Sequence, residues 1–293
     1  RDFGEVAHEE GVSPAWPITY SDLEPWYGRA ESLFGVRGLG GADPTDPPRS
    51  KDYDLAPVPH EALMKEIEQR LRQNGLKPFP MPCAVDFGAG GRCQRCENCD
   101  AFPCQIDAKG DAEIKLIQPA TAHSNVELQT GAQVMKLITD TGGRRVVAAE
   151  VLINGQLERI AADVFVLSAG AINSAALLLR SADARNPRGL ANSSDQVGRN
   201  YMTHNTSAIM AVHPFKLNKT HFPKTIAVHD YYFGEGEGST PLGSLQPLGK
   251  IREPMLREAL AFVPKPVREA LAERSVDWYA QSEDLPHPDS RVT

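Results

Sequence analysis

A chain of 293 residues, 41% hydrophobic and 24% charged, is long enough for one large domain or two ordinary ones and too apolar to be disordered. Its formal net charge of -7 and pI near 5.7 argue against the basic face of a nucleic-acid-binding protein. The longest apolar stretch, 164–179, is interrupted by Ser168, Gly170, Asn173 and Ser174, which makes it too short and too broken for a membrane span.

The first residues, "RDFGEVAHEEGVSPAWP", show no initiator methionine, no apolar leader and no strand pattern, and the chain stops where Arg291 to Thr293 read as a strand beginning. The expectation is the interior of a longer protein, soluble and cytoplasmic rather than periplasmic. Ser21 and Glu24 read as a capping box with Pro25 in the first turn, and Leu23, Trp26, Tyr27, Ala30, Leu33 and Phe34 recur at helical spacing, so 21–34 is expected to be a helix. A Gly-, Pro- and Asp-rich loop (37–59) precedes a second amphipathic helix over 60–75, stopped by Gly75. After a cysteine-rich loop, a mostly helical stretch is expected from Gly110 to about Thr121.

From Asn125 the period becomes two. Segments 126–130, 133–139, 145–153 and 156–162 alternate, and the Gly-containing turns "DTGG" and "NG" join the last three as an antiparallel meander. "DVFVLSAG" (163–170) is a continuous apolar run that leads at once into a helix over 171–181. It predicts a buried strand of a sheet covered by helices, hence an α/β fold with α+β elements. Further helices are expected at 253–262 and 265–280.

Four of the five cysteines, Cys93, Cys96, Cys99 and Cys104, fall in "GRCQRCENCDAFPC" with the spacing C-x2-C-x2-C-x4-C. The first gaps match the run that wraps an iron–sulfur core in bacterial ferredoxins, but the last gap is one residue longer and Pro103 precedes the final cysteine. Disulfides or free thiols are the second reading. Zinc, which favours two separated CxxC knuckles, is the third. Cys83, just upstream, reads as a buried bystander or a bridge partner. The turn "SAGAIN" brings Ala169 and Gly170 to a helix N-terminus, where small residues admit a phosphate or a ring; the alternative is packing alone. No GxGxxG or Walker motif occurs. In "VGRNYMTHN", His204 is either a structural histidine or a cofactor contact.

The ordered series "AKGDAEIKLIQPATAHSNVELQTGAQVMKL", "SAGAINSAALLLRSA" and "VGRNYMTH", with "SPAWPITYSDLEPWYGRAESLFGV" upstream, resembles the glucose–methanol–choline (GMC) flavoprotein oxidoreductases from about residue 11 to the end. The resemblance implies part of a flavin-binding, Rossmann-like domain with a β-meander, interleaved with part of a substrate domain. The expected organisation is 1–110 as a helical and loop insertion carrying the cysteines, 111–206 as part of the FAD-binding domain, and 207–293 as part of the substrate domain. It also implies FAD, a small alcohol, sugar or amino-sugar substrate oxidised at CH–OH, and a cytochrome, quinone or oxygen as electron acceptor. Some relatives carry iron–sulfur where these cysteines lie. Carried over by position, Val134 would set its backbone by the adenine, Ala169 and Gly170 would line the flavin cofactor, and His204 would lie near it. Ala175 and Thr203 depart from the family's usual proline and aspartate. The family's Gly-rich FAD loop and its C-terminal catalytic histidine have no counterpart in these residues, so no catalytic residue is assigned, and the chain alone is expected neither to turn over nor to hold FAD tightly. The competing readings are a non-catalytic iron–sulfur or zinc module and a plain scaffold.

Overall fold

The computed structural model describes residues 3–8, 11–96, 99, 102–234 and 241–293. The chain opens with a hairpin of β1 (Val6–His8) and β2 (Gly11–Ser13). Then come α1 (Tyr20–Phe34), β3 (Val36–Arg37), α2 (Ala62–Gln73), β4 (Phe79–Pro80) and β5 (Cys83–Ala84). A π-helical turn at Glu113–Ile117 runs into α3 (Gln118–Thr121), followed by β6 (Ala132–Thr139), β7 (Val146–Ile153), β8 (Gln156–Ala161) and α4 (Gly170–Arg180). The last elements are β9 (Asn205–Val212), β10 (Ile226–Ala227), β11 (Ser244–Pro247), α5 (Glu253–Ala259), α6 (Lys265–Arg274) and β12 (Ser275–Ser282). This is the expected mixture of helix and strand. It divides into two compact units, Arg1–His123 with His204–Glu283, and Ser124–Thr203 with Asp284–Thr293.

In the first unit, β12 is the centre of an antiparallel sheet ordered β11-β12-β9. Leu248, Ile251, Leu256 and Ala272 form a core there, with Met210 and Tyr279 packed against it. Residues 275–280 are therefore strand and not the continuation of the preceding helix. That helix starts on Pro264 and Pro266, which suit a first turn, and it ends at Arg274 because Ser275 to Trp278 are buried and pair with β9, with β11 joining on the other side from Trp278. The hairpin at the N-terminus also corrects the reading of no strand there.

Helix α1 starts one residue earlier than its sequence signature. The Asp22 carboxylate accepts from the Thr19 N–H at 2.8 Å and its hydroxyl at 2.7 Å, so these two form the cap. Glu24 serves elsewhere, accepting from the Ser50 N–H and hydroxyl, both at 2.8 Å, and tying the 37–59 loop to the helix. The same loop is pinned by Asp43. Its Oδ1 accepts from Thr45, and its Oδ2 lies 2.8 Å from Nδ1 of His229.

The second unit is built on the meander β6-β7-β8, as the alternation predicts. Asn154 and Gly155 both have positive φ, 51° and 81°, the geometry that a two-residue hairpin matching strand twist requires. Leu137, Ala149 and Val151 of the sheet pack on Leu177 of α4 and on Leu190. Three side chains stitch the C-terminal end of α4 to β6. Arg180 Nη2 donates to the Val134 carbonyl at 2.6 Å, Ser181 Oγ accepts the Leu137 N–H at 2.9 Å, and Thr139 donates to Asp183 at 2.7 Å. The Thr139 hydroxyl and the Asn186 N–H hold the Asp183 carboxyl down at about 2. Ser181 is fully buried and also donates to the Leu177 carbonyl. Ser181→Ala would leave the Leu137 N–H buried without an acceptor. It is expected to cost about 1–3 kcal/mol, read as a lower urea midpoint at unchanged slope.

Two expectations fail in this unit. Segment 126–130 forms no strand, and 163–168 is irregular and joins no sheet instead of forming a buried strand. Phe165 and Leu167 face the core, while Val164 and Val166 point outward at 77% and 83% exposure. An apolar run without alternation needs cover on both faces, and among the described residues only one face has it. Near the C-terminus, Val292 N–H donates to Gly198 and Tyr201 N–H to Ser290, each at 2.8 Å, but 291–293 is not a strand.

Candidate functional site

The residues singled out by sequence fall in both units. In the second unit, Val134 sits at a β-bulge. The pairing of β6 with β7 slips between Val134 and Lys136, so Met135 has no register partner and the strand is re-aimed at this point. Its carbonyl is occupied by Arg180, a residue that spacing alone did not single out. Ala169 and Gly170 lie where the unpaired 163–168 segment enters α4. Gly170 has φ +79°, and a Cβ added there would meet nothing within 4 Å, so the helix N-terminus opens on space. The Ala169 N–H is taken by the Ser174 hydroxyl at 3.1 Å, and both Ala169 and Gly170 are exposed. A positive-φ glycine, small exposed residues and an open helix start fit one edge of a dinucleotide cradle. His204 is exposed and belongs to the first unit, immediately before β9.

The first unit holds a cavity of about 490 Å³, and all five cysteines line it. None is bridged in a disulfide; Cys96 is exposed and the other four are half-buried. Cys83, Cys93 and Cys99 pack against the buried Val58, Val85 and Phe222. Cys83 is thus part of the thiol wall, not a bystander. The pairing of β5 with β3, Cys83 opposite Arg37, puts it there, and no cysteine spacing could have revealed it. Lys109, which also lines the cavity, donates to the carbonyls of Cys99 and Phe102 and so folds the loop back on itself.

The thiols differ in character. Burial first, then the neighbouring Cys96 thiol, pushes Cys99 up to about 11, with Lys109 opposing. Burial alone would raise Cys104 as well, but the N–H groups of Ile106, Ala108 and Lys109 outweigh it and hold that thiol below its ordinary range. The Ala108 N–H lies 3.2 Å from the Cys104 sulfur. The soft donors suit iron–sulfur or another thiophilic group. Among the described residues, however, no three His, Cys, Asp or Glu side chains converge closely enough to hold a metal ion.

Residues 81–206 match the family described as GMC oxidoreductase, a span that contains the five cysteines, the bulge and the Ala169–Gly170 turn. A 6'''-hydroxyparomomycin C oxidase of Streptomyces lividus is 34% identical over 79% of this chain and 44% of its own length. Paromamine 6'-oxidase of Streptomyces fradiae is 35% identical over 68% of this chain and 36% of its own. The fructose dehydrogenase large subunit of Gluconobacter japonicus is 28% identical over 96% of this chain and 53% of its own. The chain therefore spans about half or less of the length of these curated relatives. It belongs to the GMC oxidoreductase family, as its "SAGAIN" and "VGRNYMTH" motifs lead one to expect.

Proposed function

We propose that this polypeptide supplies part of an FAD-dependent oxidoreductase acting on the CH–OH group of an alcohol, sugar or amino sugar. The observation that carries the reading is the exposed turn at Ala169–Gly170, which lies inside the family match and opens a helix N-terminus at a positive-φ glycine. FAD, when bound, supplies the hydride acceptor. The chain's own share is to bind and orient. The α4 N-terminus and the small residues before it would receive the cofactor, and the bulged Val134 backbone, braced by Arg180, would border its adenine. His204 would stand near the cofactor. On this reading 111–206 belongs to the FAD-binding portion, 207–293 to the substrate portion, and 1–110 is the insertion that carries the cysteines. The names of the amino-sugar oxidases and the fructose dehydrogenase support a polyhydroxylated substrate.

The finer part of the reading is that Cys93, Cys96, Cys99 and Cys104 hold an iron–sulfur cluster. It is supported by their lining one cavity and by their soft donor chemistry, although among the described residues the side chains do not close on a metal-sized centre. A cluster would hand electrons on singly, to a cytochrome or quinone, whereas oxygen would serve an oxidase.

The test is absorption spectroscopy with iron and acid-labile sulfide analysis on the protein made at the length of its relatives. A flavin spectrum, with FAD released on denaturation, is expected. Stoichiometric iron that disappears in Cys96→Ser while the flavin stays would place the cluster. A folded, colourless protein that takes up no FAD would overturn the enzymatic reading, and a yellow protein without iron would overturn the cluster alone.

A further inference from the structure

A different cavity of about 580 Å³ lies in the first unit, lined by parts of 217–221 and 250–254 and by one face of α6. None of the residues discussed above as cofactor or thiol contacts lines it. Its charges are Lys219, His221, Lys250 and Arg252 on one hand and Glu253, Glu269 and Glu273 on the other. The carboxylates are already paired. Glu253 is gripped by Arg268, whose Nε and Nη2 lie 2.9 and 2.7 Å from Oε1, Glu269 meets Lys265 at 3.1 Å, and Glu273 meets Arg274 at 3.7 Å.

The lysines are not. Among the described residues neither Lys219 nor Lys250 forms an ion pair, and the half-buried Lys250 ammonium donates to one neutral acceptor, the Asn218 carbonyl, at 2.6 Å. Burial lowers the Lys250 amine, while Asp277 and Glu273 oppose this through space. Asp277 is 3% exposed, and its Oδ2 accepts from the Ile251 N–H at 3.1 Å, fixing the backbone next to Lys250. A partly desolvated ammonium without a contacting carboxylate is unfavourable by itself, and an anion in the same cleft offsets that cost. Such a cation, in a cavity of the size small ligands occupy, marks a binding site rather than a stabilising contact.

We propose that this cavity binds a small oxyanion, a phosphate or carboxylate group, with Lys250 as its inner ligand and Lys219 as its outer one. The site is independent of flavin chemistry and stands whether or not the polypeptide serves an oxidoreductase.

Isothermal titration of the 293-residue protein in low-salt buffer, with inorganic phosphate and separately with citrate, tests it. Saturable binding of at least one is expected, phosphate alone assigning a phosphoryl ligand, citrate alone a carboxylate, and both the shared chemistry. Lys250→Gln should weaken that binding about tenfold or more, the loss expected for one charge-assisted contact. Lys219→Gln, an exposed change that leaves the fold intact, should weaken it severalfold and keeps the test decisive should Lys250→Gln fail to fold. No saturable heat with either anion, or undiminished affinity in Lys219→Gln together with a folded Lys250→Gln, would overturn the proposal.

Discussion

Gly110→Ala is expected to be among the most damaging single substitutions in the first unit. A Cβ at this position would stand 2.2 Å from the carbonyl oxygen of Phe34, the last residue of α1, and 3.0 Å from the Ala84 Cβ. Neither obstacle is a flexible side chain that could swing aside. The backbone cannot retreat either, because the Gly110 N–H donates to the Ala84 carbonyl at 3.0 Å. Relief requires α1 or β5 to move, and the cost of such overpacking is about 1–3 kcal/mol or somewhat more. Gly110 also lines the thiol cavity, so the same displacement should open its wall. Chemical denaturation and the rate of thiol modification report the two consequences. A midpoint and a thiol reactivity both equal to the parent protein would show that the close approach does not exist.

Trp278→Ala is expected to cost about 3–5 kcal/mol, the range for emptying a buried tryptophan site. Trp278 is 8% exposed on the central strand β12, opposite Ile209 of β9 on one side and Pro247 of β11 on the other. It lines one groove together with Leu63 and Ile67 of α2, so the vacated volume faces an existing space and cannot collapse neatly. Trp278→Phe should recover much of the loss. Urea denaturation of the two variants decides the matter, and a loss below about 1 kcal/mol for the alanine variant would contradict its placement in a central strand.

That tryptophan also shows what local sequence conveys and what it does not. "KPVREALAERSVDWYA" carries helical spacing throughout, and the boundary at Ser275 is fixed by the strand's ladder partners, all of them upstream, in β9 some 63 to 77 residues away and in β11 some 31 to 37, which no local pattern encodes. The meander was legible because its signal is local: alternating strands and an Asn-Gly pair that itself dictates a hairpin. The cysteine loop was legible as a group of four, but its fifth member is contributed by strand pairing between β3 and β5. The Ala169–Gly170 turn was recognisable from small residues after an apolar run, whereas the bracing of Val134 by Arg180 spans 46 positions and has no sequence signature. Asp22 displaced Glu24 as the α1 capping partner for a similar reason: Glu24 is engaged by Ser50, in a loop whose course only the fold reveals.

The outward valines of the 163–168 segment bear on how the polypeptide behaves before any ligand is considered. No charged residue lies between Asp163 and Arg180, and among the described residues 163–168 belongs to no ladder, beside exposed Val164 and Val166. Such a ribbon is a template for a ladder, and it does not discriminate between a strand of its own protein and the same ribbon of another copy. Asp163, fully exposed at its start, meets the exposed Arg145 at 3.6 Å, and this charge pair is what stands near the ribbon to oppose such stacking. The polypeptide's solubility therefore hangs on how quickly this segment is covered, which makes it a determinant of colloidal stability as much as of architecture.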